Sequence, residues 1–283
     1  MKRIVVLFHD RGTPASRYVV DDLADCWRED GHEVVYLYGT KTFVPADLLL
    51  IHVDLSVVPE DYFLFASRYP IALNAQVRDI RKSVISSILT DPHDTWRGPV
   101  IVKSDLNYGG GPERVLASSG LGENFHARRL VSRVLTRLSG RAEFNSWTKY
   151  RVFDSIDEVP RSIFRRRDVI VERFLPECEN NLFYLRMYQM LGDRWTCTRI
   201  GSPKPVFKAS TSVSSEAIEP HPEVKKCRKQ FNLDYGKIDY VVNNGRPVIL
   251  DVNKTTGASL AVSDARVRAM RRHLAEGLYS YFA

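Results

Sequence analysis

The sequence predicts a mixed α/β (α+β) protein in which an open-sheet N-terminal domain precedes two further subdomains. Three observations carry that prediction. Strand and helix signals alternate through the N-terminal quarter, two antiparallel hairpins are marked in the C-terminal half at LGDRW and NNGR, and an amphipathic stretch closes the chain.

Residues 3–9 (RIVVLFH) are an apolar run of buried-strand type. Residues 15–30 follow with Val19, Leu23 and Trp27 in one row and Val20 and Ala24 beside it, the spacing of a helix with one apolar face. EVVYL at 33–37, the apolar run 47–53, a helical stretch near 58–68 and PIALN at 70–74 complete a β-α-β unit with added strands. The first domain is therefore placed at residues 1–76, with helices on both faces of its sheet. No Gly-rich fingerprint follows its first strand; His9, Asp10, Arg11 and Gly12 stand there, which argues against a dinucleotide site. A connecting helix is expected over 78–90, a strand over 97–103 (RGPVIVK) and another over 167–175. Between them a basic helical stretch within 123–141 carries Arg128, Arg129, Arg133, Arg137 and Arg141. Strands flank LGDRW between 182 and 200, a second hairpin runs over 236–253, and a helix spans 261–282. The two later subdomains are drawn at 77–170 and 171–283.

The composition excludes several classes. With 283 residues, 44% hydrophobic and 27% charged, the chain is ordinary globular material. Its longest apolar run, Leu48 to Val53, is broken by His52 and followed by Asp54, so no membrane span is expected. MKRIVVLFHD becomes charged too soon for a signal peptide and reads as the first strand. Cys26, Cys178, Cys197 and Cys227 are scattered without metal-finger spacing, which suits free thiols in a reducing cytoplasm. The net charge of +7 is compatible with phosphorylated ligands, nucleic acid or a merely solvated surface.

Four segments carry chemistry. Asp251 and Asn253 are two apart and share a face of a strand, and Asp239 lies twelve positions before Asp251 on the partner strand. Two carboxylates and an amide oxygen make a hard, all-oxygen set suited to magnesium. Register decides whether they converge. A two-residue loop at Asn244-Gly245 turns Asp251 to the face opposite Asp239. A three-residue loop, or a bulge with the same effect, brings both to one face. The second segment is GPVIVKSDLNYGGGPE, where Lys103 ends a buried strand and Gly109, Gly110 and Gly111 let backbone N–H groups approach phosphate oxygens. The alternative is a plain Gly-rich turn. The third is VIVERFLPE, in which Glu172 and the backbone of Arg173, Phe174 and Leu175 suit the edge of an adenine, or else form core. The fourth is a set of cations: Lys82, Arg186, Lys204 and Lys208. Arg186 lies in the apolar run LFYLRMYQM, where an unpaired charge is costly, so it faces a polar cleft or makes a structural salt bridge.

In order and spacing these pieces resemble the ATP-grasp superfamily, and within it the glutathione-synthetase and α-L-glutamate-ligase-like branch of carboxylate–amine ligases. The carriers are the open-sheet domain ending at PIALN, RDIRK, the lysine of PVIVK with its Gly-rich loop, the hinge VERFL, and the D…DVN hairpin. The resemblance covers nearly the whole chain. It implies an ATP-grasp fold behind a Rossmann-like N-terminal domain, with ATP and Mg2+ as cofactors (two ions, manganese able to substitute). Lys82 and Lys103 would contact ATP phosphates or the adenine. Gly109–Gly111 would lie in a flexible loop over the triphosphate, and Glu172 with Arg173, Phe174 and Leu175 would hold the adenine. Glu177 or Glu179 would hold the ribose. Asp239, Asp251 and Asn253 would bind the metal, and Arg186 and Lys208 would stabilise the transferred phosphoryl group. The sequence departs from the pattern at Asp251, where the family usually has glutamate, and at Lys254-Thr255-Thr256, where the family has a Pro-Gly shortly after the asparagine and where the change would reshape the acceptor pocket.

The activity implied is attack of a carboxylate on the γ-phosphate of ATP, then of an amine on the acyl-phosphate, giving an amide or peptide bond, ADP and phosphate. The acceptor is an amino acid, a peptide or an acidic protein tail. Rivals are a kinase on the same scaffold, a non-catalytic ATP-binding module, and a nucleic-acid binder using residues 128–141. The last is disfavoured because Phe125 alone supplies an aromatic near that stretch. Oligomeric state is open, a homodimer being the commonest arrangement.

Overall fold

The computed structural model describes residues 1–13, 15, 17–118, 150–207, 211–258 and 264–282. The basic stretch 128–141 and Lys208 lie outside the described residues.

The N-terminal sheet is wholly parallel, in the order β2-β1-β3-β4, from β1 (Arg3–Phe8), β2 (Glu33–Tyr38), β3 (Leu48–Ile51) and β4 (Ala72–Leu73). Its central strands are buried on both faces, as continuous apolar runs require. Helix α1 (Val19–Glu29) packs on the face of Ile4, Val6 and Leu50, and α2 (Glu60–Ala66) on that of Val5, Leu7 and Leu49, so both faces are covered as expected. Asp21 accepts from the N–H of Tyr18 at 2.7 Å, which satisfies a donor at the start of α1 and sets a negative charge at its N-terminus.

The connecting segment departs from expectation. Only Lys82–Ile85 is helical (α3). Residues beyond it run extended because the edge of the next sheet needs backbone partners: Arg173 N–H donates to Ile88 O at 2.9 Å and Thr90 N–H to Val171 O at 3.0 Å. That sheet is antiparallel, in the order β6-β5-β7, from β5 (Val100–Ser104), β6 (Arg151–Phe153) and β7 (Val169–Arg173). Helix α4 (Gly111–Ser118) follows β5 through a tight turn. The sequence boundary at 170/171 falls inside β7.

The last sheet runs β11-β10-β9-β12-β13, with β8 (Glu177–Glu179) also on β9. Its hairpins are β9 (Leu182–Leu191) with β10 (Arg194–Ser202), and β12 (Tyr235–Asn243) with β13 (Arg246–Asn253); β11 (Ser214–Ala217) lies at the edge. Helix α5 (Pro222–Gln230) was not marked by periodicity. Its start signal is nevertheless in the sequence: Pro222 opens it, and His221 accepts from Glu223 N–H at 3.2 Å. The closing helix is α6 (Ala265–Ala275), continued by a 3-10 turn, Glu276–Tyr281. It returns to the first domain, where Trp27 Nε1 donates to Ala275 O at 2.9 Å and Leu274 and Leu278 join the core of α1. Among the described residues no helix is long and apolar enough to cross a membrane.

Gly192, in the turn between β9 and β10, has φ +53°, and a Cβ there would run into the carbonyl oxygen of Gly277. Gly192→Ala is expected to destabilise the fold by roughly 2–4 kcal/mol, from left-handed strain plus overpacking against backbone. Urea denaturation checks this, with Gly245→Ala, where the added Cβ meets nothing within 4 Å, as the strain-only comparison.

Candidate active site

The β12–β13 hairpin resolves the register question. Asn243 pairs with Arg246, so the loop has two residues, Asn244 (φ 49°) and Gly245 (φ 74°), both left-handed as a type I′ turn demands. That register alone would separate the carboxylates. A bulge restores them: Tyr240 pairs with Ile249 but Asp239 with Asp251, leaving Leu250 as the extra residue. Asp239 and Asp251 therefore stand directly opposite each other, with Lys237 opposite Asn253 on the same face.

Two lysines answer the paired charges. Lys237 Nζ lies 2.8 Å from Asp239 Oδ2, and Lys82 Nζ lies 3.1 Å from Asp251 Oδ1. Burial, then the neighbouring Asp251, hold Asp239 above the usual carboxylate range against the pull of Lys237. Burial alone would lower Lys82, but Asp251, with Tyr150 and Glu172 nearby, outweighs it and holds the ammonium above its ordinary value. Asp239 Oδ1 is buried and has no hydrogen-bond partner among the described residues. An orphaned carboxylate oxygen facing a second carboxylate is the donor set that a divalent cation takes. Asn253 is at hand, its Oδ1 accepting from Thr255 N–H at 2.8 Å. Among the described residues no group of three or more His, Cys, Asp or Glu is placed to hold a metal ion, so the set stays at two carboxylates and an amide.

Lys103 and Glu172 project from β5 and β7 on the face away from the core of Val100, Val102 and Val171. They form a buried ion pair. Glu172 Oε1 has no hydrogen-bond partner among the described residues. The hinge backbone is partly committed: Phe174 N–H donates to Pro99 O at 2.8 Å, and the Arg173 side chain, one residue on from Glu172, meets Asp94 at 3.1 Å. Leu175 follows, half-buried, before β8.

The Gly-rich segment is a pinned turn. Tyr108, Gly109 and Gly110 have positive φ, and Gly111 begins α4. Asn107 anchors it, its N–H donating to Ser56 Oγ at 2.9 Å and its Nδ2 to Val252 O at 2.7 Å, while Lys82 reaches Asn107 Oδ1 at 3.4 Å. The glycines, Lys82 and β13 are thus joined through one side chain.

Arg186 is not brought to this cluster. It pairs with Tyr240, whose side chain lies on the opposite face from Asp239, and its guanidinium is forked onto Glu177 at 2.8 and 2.9 Å. Glu177 also takes Arg199 at 3.0 Å and the N–H of Val242 at 2.8 Å; Glu179 takes Arg199 at 2.6 Å. These ties match the structural salt bridge weighed for Arg186. Lys204 is exposed on a bend after β10.

Sequence reasoning passed over Lys237, Asn107 and Tyr150, the last within electrostatic reach of Lys82, Asp251, Glu172 and Asp239. Lys237 had a signal, since it lies two before Asp239 and shares its face. Asn107 and Tyr150 had none, because their partners are distant in the chain. The segment after Asn253 packs on the first domain: Lys254, fully buried, donates to Leu55 O, Thr255 Oγ1 donates to Asp54 at 2.7 Å, and Val19 N–H donates to Thr256 O at 2.8 Å.

No family model matches the sequence, and no curated protein matches it. Solved structures do match. D-alanine–D-alanine ligase from Bacillus anthracis complexed with ATP is similar over 100% of this chain and 96% of its own, at a TM-score of 0.50 and 14% identity. Macrocyclase MdnC from Microcystis aeruginosa MRC, bound with precursor peptide MdnA, is similar over 98% of this chain and 99% of its own, at 0.50 and 10%. The RimK domain ATP-grasp protein from Sphaerobacter thermophilus DSM 20745 is similar over 98% and 99%, at 0.49 and 10%. At these identities the likeness is one of fold.

Proposed function

The chain has the ATP-grasp fold, and from that premise we propose that it is an ATP- and Mg-dependent carboxylate–amine ligase that forms an amide through an acyl-phosphate and releases ADP and phosphate. The observation that carries this reading is the pair Asp239–Asp251, set face to face by a bulge, with one buried oxygen unpartnered and a lysine behind each carboxylate.

In this reading Asp239, Asp251 and Asn253 hold Mg2+, which when bound neutralises charge on the triphosphate. Lys103 and Glu172 would meet the nucleotide, and the Arg173–Leu175 backbone would hold the adenine edge. Lys82 and Lys237 are already held at the carboxylates and offset negative charge where the phosphoryl group moves. The backbone N–H groups of Gly109–Gly111, at the start of α4, would bind the phosphates. Lys208 and the ribose role of Glu177 or Glu179 remain part of the proposal, whereas Arg186, forked onto Glu177 on the face opposite Asp239, takes the structural role instead. No nucleophilic side chain is required.

The substrates would enter from the first domain. A cleft of about 380 Å3 opens beside the carboxyl ends of β1 and β3, lined by Asp10, Arg11, Leu55, Tyr62 and Glu113 among others. In the strand order β2-β1-β3-β4 this is the topological switch point, where open parallel sheets bind ligands. Glu113 lies two residues past Gly111, so the cleft borders the phosphate end of the site. The four cysteines are unpaired, which supports a reducing cytoplasm as the working compartment.

The test is incubation with ATP, magnesium and pooled amino acids, with ADP, AMP and new amides read by mass spectrometry and Asp251→Asn as control. ADP with an amide, both absent in the variant, is expected. Phosphorylated product without an amide would favour a kinase on the same scaffold. No turnover and no thermal stabilisation by Mg-ATP would overturn the reading.

A further inference from the structure

A second cleft, of about 730 Å3, has neither Asp239 nor Asp251 in its lining. It lies between α5, the β9–β10 hairpin and the end of the first domain at Ala72–Gln76. Tyr188, which lines it, pairs with Ile238, so its side chain leaves the sheet on the face opposite Asp239. A ligand there would not compete with a nucleotide.

The lining joins aromatic floor to positive wall. Half-buried Trp195 supplies the floor, with Tyr188 buried in the core beneath it, and Lys225, Arg228 and Lys229 of α5 supply the wall. The cleft's one carboxylate, Asp234, is already taken by Asn74 N–H at 2.7 Å and the Tyr281 hydroxyl at 3.1 Å. Arg228 is fixed by donating to Leu233 O at 2.8 Å and Asp234 O at 3.2 Å. Lys225 lies over the Trp195 ring at 4.5 Å and has only a solvent-exposed partner, Glu219, at 3.5 Å. Lys229 has no ion-pair partner among the described residues.

We propose that this cleft docks an acidic, extended segment of a polypeptide partner. Lys225 and Lys229 are one helical turn apart on one face, with Cβ atoms about 6 Å apart. Carboxylates at alternate positions of an extended chain are spaced by roughly 6.6 Å, which matches. An apolar side chain between flanking carboxylates would meet Trp195. A compact phosphate fits less well. Arg228 and Lys229 lie in the last turn of α5, where the helix dipole is negative, and among the described residues the cleft's lining includes no residue of a helix N-terminus and no run of glycines. The proposal stands apart from the ligase reading, because it uses none of that site's residues.

The test is fluorescence anisotropy with a labelled, capped peptide alternating glutamate and leucine, at low and moderate salt. Saturable binding that weakens with salt is expected, weaker by about tenfold or more in Lys225→Glu/Lys229→Glu and unchanged in Asp251→Asn. Both lysines are at the surface, and circular dichroism confirms that the double variant is folded. No saturable binding by the wild type, or equal binding by the double variant, would overturn the proposal. So would binding of tripolyphosphate or an oligonucleotide at the cleft while the peptide fails.

Discussion

Asp239→Asn is expected to lower turnover by about 10³-fold or more while leaving the ligand-free protein as stable as the wild type, or more stable. The two effects have one cause. Asp239 and Asp251 stand opposite each other in a half-buried site, and Asp239 carries an oxygen with no hydrogen-bond partner among the described residues. Without a cation this arrangement is costly, since like charges face each other away from bulk water. An amide at 239 keeps an oxygen for Lys237, now 2.8 Å from Asp239 Oδ2, and removes the repulsion. It also removes an anionic ligand. Mg-ATP at a hundredfold excess over its Kd should stabilise the wild type by about 2.7 kcal/mol, and that gain should vanish in the variant. Thermal melts with and without Mg-ATP, beside a steady-state ADP assay, give both numbers. Activity within tenfold of wild type, or a persistent Mg-ATP shift, would remove Asp239 from the metal site. A variant less stable than wild type without ligand would mean that the Asp239–Lys237 pair is structural.

How far this site could be foreseen depends on the reach of each contact. Asp251 and Asn253 were legible because strand alternation puts them on one face. Asp239 was legible only conditionally, since a single residue of register decides its face and the sequence allowed either loop. The Asn-Gly turn formed in its favoured two-residue form, and a bulge at Leu250, which no local signal announces, restored the pairing. Lys103 and Glu172 were legible because each ends or interrupts an apolar strand. Arg186 shows the opposite case. Its charge within LFYLRMYQM correctly required a partner, but periodicity gave neither the face nor the identity of that partner. Glu177 became so only because β8 folds back onto β9. The first sheet was legible throughout, since each strand is a short apolar run and the first helix has a clear row of Val19, Leu23 and Trp27. The helix expected over 78–90 was shortened to Lys82–Ile85 by the edge of β7, a tertiary demand that local propensity does not contain.

His52→Leu is expected to flatten the acid limb of stability. His52 follows β3, is fully buried, and neither ring nitrogen has a hydrogen-bond partner among the described residues. Phe8, Tyr18 and Tyr235 surround the imidazole with rings. Burial, with a smaller contribution from the Lys254 charge, pulls its pKa down to about 3. In the unfolded chain the same group titrates near about 6.5. Above that value both states are neutral and His52 adds no pH dependence. Between it and about 3 the unfolded chain holds a proton that the folded chain refuses, so stability falls as pH falls, by up to about 1.4 kcal/mol per unit. By pH 4 the wild type should have lost about 3 kcal/mol that His52→Leu retains. Asp54, raised by burial, works in the opposite direction but is present in both proteins. At neutral pH the leucine also removes two unsatisfied buried nitrogens, so the variant should match or exceed the wild type. Urea titrations at stepped pH measure the difference, and parallel curves would show that His52 is protonated or solvated in the fold. The position gives the effect functional weight. Two residues on, Asp54 holds the Tyr18 hydroxyl at 2.7 Å and the Thr255 hydroxyl at 2.7 Å, and Thr255 N–H in turn holds Asn253 Oδ1. Acid stress at His52 therefore falls on the join between the first domain and the strand that carries Asp251 and Asn253. Loss of Mg-ATP stabilisation should accordingly precede global unfolding in the wild type and not in His52→Leu.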